Sequence, residues 1–90
     1  MVWQIKLERG IKYDLKKIDE YQKERIRFFI FEKLAKIEDP RSIGQSLKGS
    51  KLGKFWKYRV GNYRIIAQIK DKELLIAVIG IGHRKEIYKD

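Results

Sequence analysis

Two runs that read as strands, FWKYRV (55–60) and YRIIAQIK (63–70), are separated only by Gly61-Asn62. A glycine-asparagine pair at such a junction accepts the positive backbone angles of a tight antiparallel hairpin. No other feature constrains the chain as much, because a two-residue turn fixes register as well as topology. Val60 then faces Tyr63, and Arg59 faces Arg64. Side chains alternate between faces with a period of two. Trp56, Tyr58, Val60, Tyr63, Ile65 and Ala67 therefore share one face, while Lys57, Arg59, Arg64 and Gln68 share the other. Like charges placed directly across a ladder destabilise it by a few tenths of a kcal/mol or more. A chain selected only for folding would avoid the Arg59–Arg64 pair, whereas one that holds an anion would favour it.

A third run, ELLIAVIG (73–80), follows Asp71-Lys72 and is expected to return through a second two-residue turn. It adds Leu74, Ile76 and Val78 to the apolar face. Ile66, Leu75, Ala77 and Ile79 fall on the cationic face, which is thus half apolar and has room for a base or a partner's apolar side chain. The tail, IGHRKEIYKD, leaves this strand at Gly80 and Gly82.

Upstream, Trp3, Ile5 and Leu7 alternate with Gln4 and Lys6, which predicts a strand over 2–7. Ile11, Leu15 and Ile18 have the spacing of a short amphipathic helix. After a break at Asp19-Glu20, a longer helix is predicted from Tyr21 to Ile37, with the stripe Ile26, Ile30, Leu34 and Ile37 widened by Phe29 and Ala35. Lysines and glutamates solvate its outer face, and Asp39-Pro40 ends it, since the residue before proline avoids the helical region. The predicted order is β-α-α-β-β-β. This is an α+β fold in which two N-terminal helices pack on one face of a largely antiparallel four-stranded sheet. The 90 residues suffice for a single domain, 1–90.

Charge narrows the function. Twenty-two Lys and Arg against 12 Asp and Glu give a net charge of +10, while a hydrophobic content of 43% still supports a folded core. The expected partners are polyanions: nucleic acid, or a strongly acidic protein. The chain has no cysteine and one histidine, His83, which excludes thiolate chemistry and leaves no basis for a structural zinc site. No apolar run approaches the ~20 residues of a membrane span, and MVWQIKLERG lacks the pattern of a signal peptide. These features predict a cytoplasmic protein without a membrane partner.

Residues 39–54, DPRSIGQSLKGSKLGK, form the only long linker, and a loop of this length in a compact domain is usually functional. Lys48, Lys51 and Lys54 in it, and His83, Arg84, Lys85 and Tyr88 in the tail, join Lys57, Arg59 and Arg64 as candidate contacts to a polyanion. Tyr88 can stack on a base or anchor the C-terminus to the sheet. No phosphate-binding glycine loop and no metal-ligand carboxylate spacing such as Asp-x-Asp is present, so neither a metal nor another cofactor is predicted. RNA supplies its own nucleophile, the 2′-hydroxyl. Its cleavage needs that oxygen deprotonated, the phosphorane charge stabilised and the 5′-oxygen protonated, and cations can assist each step. The same residues can also simply grip a phosphate backbone.

The segment LKGSKLGKFWKYRVGNYRIIAQIKDKELLIAVIGIGHRKEIY (47–88) resembles the RelE/ParE toxin superfamily, and its RelE branch in particular. LKG, the WKYRVGNYRI hairpin and GHRKEIY carry the likeness, and YDLKKID (13–19) and EDPR (38–41) fit it. The resemblance implies a toxin of a type II toxin-antitoxin system that cleaves mRNA in the ribosomal A site without a metal. It also implies roles. Lys57 and Arg59 match the basic pair on the second strand, and Arg64 matches a phosphate-contacting arginine. Arg84 matches a general acid or transition-state stabiliser, and Tyr88 a base-stacking tyrosine. Lys48, Lys51, Lys54, His83 and Lys85 are the accompanying RNA contacts. Arg59 stands where the best-known RelE enzymes have a second lysine, and arginine is a poor base, which leaves Lys57 or His83 for that role. An acidic, RelB-like antitoxin is the implied partner. The alternatives are a ParE-like inhibitor of DNA gyrase and a catalytically weak RNA-binding homologue.

Overall fold

A computed structural model of the chain describes residues 2–47 and 55–83. The expected class is observed, with one more strand than predicted. The order is β1 (Gln4–Leu7), α1 (Ile11–Lys16), α2 (Glu20–Phe28), a π-helical continuation (Phe29–Leu34), a 3₁₀ turn (Pro40–Ile43), β2 (Gln45–Ser46), β3 (Phe55–Val60), β4 (Tyr63–Lys70), a second 3₁₀ turn (Asp71–Glu73) and β5 (Leu75–His83). The sheet has five strands in the order β1-β5-β4-β3-β2. β1 lies parallel to β5, and the other pairings are antiparallel.

The helices cover one sheet face. Ile11, Leu15, Ile26, Ile30 and Leu34 pack with Tyr58, Val60, Ile65, Ala67, Ile76 and Val78 in a single core. Asp19 caps α2 by accepting a hydrogen bond from the Gln22 amide at 3.0 Å, which explains the break predicted there. The long helix does not stay α-helical to Ile37. From Phe29 its turns widen, and the Ala35 amide donates to the Ile30 carbonyl five residues back. Four residues overshoot an α-turn by about 40°, so a four-residue apolar spacing drifts around an ordinary helix. The wider turn holds Ile30 and Leu34 in the core and leaves Phe31 exposed. The Trp3 amide donates to the Ala35 carbonyl at 2.7 Å, tying the entry to β1 to the helix end.

Three further expectations are corrected. Residues 45–46, read as linker, form β2 and pair with Lys57 and Trp56 of β3. Asp71-Lys72 is not a two-residue turn: a 3₁₀ turn ends on Leu74 with φ of +50°, so Leu74 is exposed and outside the strand. β5 does not end at Gly80 but runs through both glycines to His83. It carries an irregularity, Ile66 pairing with Gly80 and Ala67 with Val78, which leaves Ile79 as the extra residue of a bulge. The bulge reverses the alternation, so Ile81 faces the core along with Ile76 and Val78. Among the described residues, no helix is long and apolar enough to cross a membrane.

Candidate functional site

The β3–β4 hairpin has the register the sequence demands: Val60 opposite Tyr63, Arg59 opposite Arg64, Lys57 opposite Ile66. Gly61 takes φ of +60° in the turn, a conformation costly for any residue with a Cβ. An added Cβ would also meet the Arg25 guanidinium at 3.1 Å and Gln22 Oε1 at 3.3 Å, because α2 lies against the hairpin tip.

On the sheet face away from the helices, Lys57, Arg59 and Arg64 line one cleft of about 300 Å³ together with Ile43 and Gln45. The three cations therefore gather as the register predicts. Among its described lining residues the cleft has no carboxylate. It offers guanidinium groups that bind phosphate oxygens two at a time and an ammonium that donates in any direction. Arg59 is exposed, Lys57 is half-buried and Arg64 is only 5% exposed. Arg64 faces Gly82 on β5, which adds no side chain beside it.

The far wall of the cleft comes from the segment read as linker. Pro40 opens its 3₁₀ turn, and Asp39 accepts from the Arg41 amide at 3.1 Å. The buried Tyr58 hydroxyl donates to the Pro40 carbonyl at 2.8 Å, and burial pushes this phenol up to about 12. Gly44 lies flat on the Tyr58 ring, where a Cβ would stand 2.7 Å from a ring carbon. Arg41 forms a bidentate pair with Asp71 at 2.9 and 2.7 Å, and its guanidinium lies 5.8 Å from the centre of the Trp56 ring. That hydrogen-bonded pairing holds the Asp71 carboxyl below its ordinary range and raises Arg41. These contacts place Ile43 and Gln45 at the cleft. Neither residue carries a sequence signal beyond its proximity to Gly44, and the Arg41–Asp71 pair, thirty residues apart, has none.

His83 is not brought to the cleft. The bulge carries it to the helix-bearing face, opposite Tyr63, whose ring it meets edge-on with centroids 5.7 Å apart. There it borders a separate cleft with Asp14 of α1 and Lys17 just beyond its end. The sheet thus separates His83 from Lys57. Lys48, Lys51, Lys54, Arg84, Lys85 and Tyr88 lie outside the described residues.

The sequence comparisons agree with this architecture. A family model described as the ParE toxin of type II toxin-antitoxin systems (parDE) matches residues 5–88. No curated protein matches the chain. Among solved structures, the toxin-antitoxin complex RelBE2 of Mycobacterium tuberculosis aligns at a TM-score of 0.83 and 21% identity, covering 96% of this chain and 95% of that one. The archaeal RelE-RelB complex of Pyrococcus horikoshii OT3 aligns at 0.76 and 21% identity, with 96% and 99% covered. An E. coli RelE mutant in the free state aligns at 0.72 and 20% identity, with 98% and 88% covered. These likenesses establish a shared fold. With the family match spanning nearly its whole length, the chain belongs to the ParE toxin family of type II toxin-antitoxin systems, within the RelE/ParE superfamily.

Proposed function

We propose that this toxin is a metal-independent endoribonuclease that cleaves mRNA in the ribosomal A site. The observation that carries the reading is the convergence of Lys57, Arg59 and Arg64 on one cleft whose described lining holds no carboxylate. A scissile phosphate seated there has its non-bridging oxygens held by Arg59 and Arg64, which stabilise the charge of the pentacoordinate transition state. The Lys57 amine takes the proton of the 2′-hydroxyl. That oxygen attacks phosphorus, the bond to the 5′-oxygen breaks, and a 2′,3′-cyclic phosphate and a 5′-hydroxyl result. Arg84 serves the departing 5′-oxygen as acid, or stabilises its charge until water supplies the proton, and Tyr88 stacks on the substrate base. Lys48, Lys51, Lys54 and Lys85 contribute phosphate contacts. Lys57 takes the base role rather than His83, since only Lys57 borders the cleft.

The neutralising partner is proposed to be an acidic, RelB-like antitoxin. The +10 charge favours it, and the solved structures of M. tuberculosis and P. horikoshii similar to this chain are of toxin-antitoxin complexes. Action on ribosomes makes the cytoplasm its site of action.

The test maps 5′ ends on ribosome-bound messenger after induction. Wild-type protein is expected to produce new in-frame ends, and Lys57→Ala and Arg84→Ala to reduce them sharply while the protein stays folded. Uncut messenger during growth arrest would reject the reading. The family match to ParE supports a second one, inhibition of DNA gyrase. Loss of supercoiling by purified gyrase, with messenger intact, would establish it instead.

A further inference from the structure

Arg59 borders two cavities. One is the cationic cleft, and the other is a groove of about 510 Å³ along the outer side of α2, reached over the hairpin tip at Val60 and Gly61. Tyr21 and Phe28, seven residues apart and thus on one side of the helix, line this groove while 70% and 65% exposed. Arg25 lies 5.8 Å from the Tyr21 ring and Lys33 lies 5.9 Å from the Phe29 ring, so cations alternate with aromatic faces. The one carboxylate among the described residues of the groove, Glu24, is paired with Arg27 at 3.6 Å. Exposed rings interleaved with positive charge are what a single-stranded nucleic acid requires, because every base offers a face to stack on and every phosphate a charge. An acidic peptide would use the charges, but it has no need of two exposed rings in a groove that shares Arg59 with a cationic cleft.

We infer that single-stranded RNA leaving the cationic cleft crosses Arg59 and continues into this groove, where Tyr21 and Phe28 stack flanking bases and Arg25 and Lys33 hold the backbone. The inference rests on the cleft being a phosphate site. It predicts that affinity depends on the length of RNA beyond the reacting nucleotide.

The test uses the full chain and labelled 2′-O-methyl RNA of three and eight nucleotides, which lacks the attacking hydroxyl and stays intact. In anisotropy titrations, Tyr21→Ala/Phe28→Ala is expected to weaken the octamer by about tenfold or more, leaving the trimer within about twofold of wild type. Tyr21→Phe, which keeps the ring, should retain wild-type affinity. Unchanged octamer binding in the double variant overturns the inference. So does a glutamate-rich amphipathic peptide that loses affinity for the double variant while the octamer does not, since the groove is then a protein surface. Lys57→Gln separates the two readings: weaker binding of both lengths supports the cleft as a phosphate site. No effect on either length rejects that site and with it the path from cleft to groove, whereas a Lys57→Gln loss with unchanged octamer binding in the aromatic double variant rejects the groove alone.

Discussion

At the scale of single residues, Tyr58 and Arg59 are neighbours on β3 with opposite costs. Tyr58 is 1% exposed and holds Pro40 through its hydroxyl. Tyr58→Phe leaves the Pro40 carbonyl without that donor and should cost about 1–3 kcal/mol in urea unfolding. Burial pushes the phenol from 10.0 to about 12, so the unfolded chain releases this proton first. Its contribution is complete below pH 10 and is lost as the pH rises toward 12, and the stability difference between wild type and Tyr58→Phe should shrink over that interval. Arg59 works against folding, since it faces Arg64 across the ladder. Arg59→Ala should therefore raise stability by a few tenths of a kcal/mol while reducing messenger cleavage, a combination that a purely structural arginine would not show. Leu74, exposed at φ of +50°, is similarly strained. Leu74→Asn should stabilise the fold by about 1 kcal/mol, measured as a shift in Tm, because asparagine tolerates this conformation better.

Among the elements, the 3₁₀ turn at Pro40–Ile43 is the one on which the cleft wall depends. The Arg41–Asp71 pair ties it to the turn between β4 and β5. The pairing depresses the Asp71 carboxyl, so its stabilisation is present above the ordinary value of 3.8 and disappears as pH falls through the lowered value. Asp71→Asn should therefore lower Tm at neutral pH only slightly, the pair being exposed, and wild type and variant should converge on acidification. Gly44 is the stricter requirement. Gly44→Ala brings a methyl group against the Tyr58 ring and should cost about 1–3 kcal/mol through displacement of the turn. If Ile43 and Gln45 matter to the cleft, that variant also loses RNA affinity, which binding titrations at a temperature where it remains folded would detect.

For the molecule as a whole, the dominant quantity is charge. A protein of net +10 whose cleft groups three cations should bind RNA with strong salt dependence, each phosphate contact releasing counterions. Lys57→Gln is expected to reduce the slope of log affinity against log salt by about 1. A slope that does not change places Lys57 outside the phosphate contacts.

The local sequence was enough to specify the hairpin, its register and the face on which Lys57, Arg59 and Arg64 meet, because turn length and a period of two are properties of consecutive residues. It also specified the break before α2 and the apolar stripe of the helices. Only the tertiary structure decided that the bulge at Ile79 moves His83 to the helix face, that Gln45–Ser46 joins the sheet as β2, and that the end of the long helix widens. Alternation holds until one inserted residue reverses it, and whether a strand accepts that residue depends on the neighbour it pairs with. A two-residue strand carries too little pattern to read, and an ion pair spanning thirty positions carries none. Those features exist because distant segments meet, and proximity in space is what the order of residues does not state.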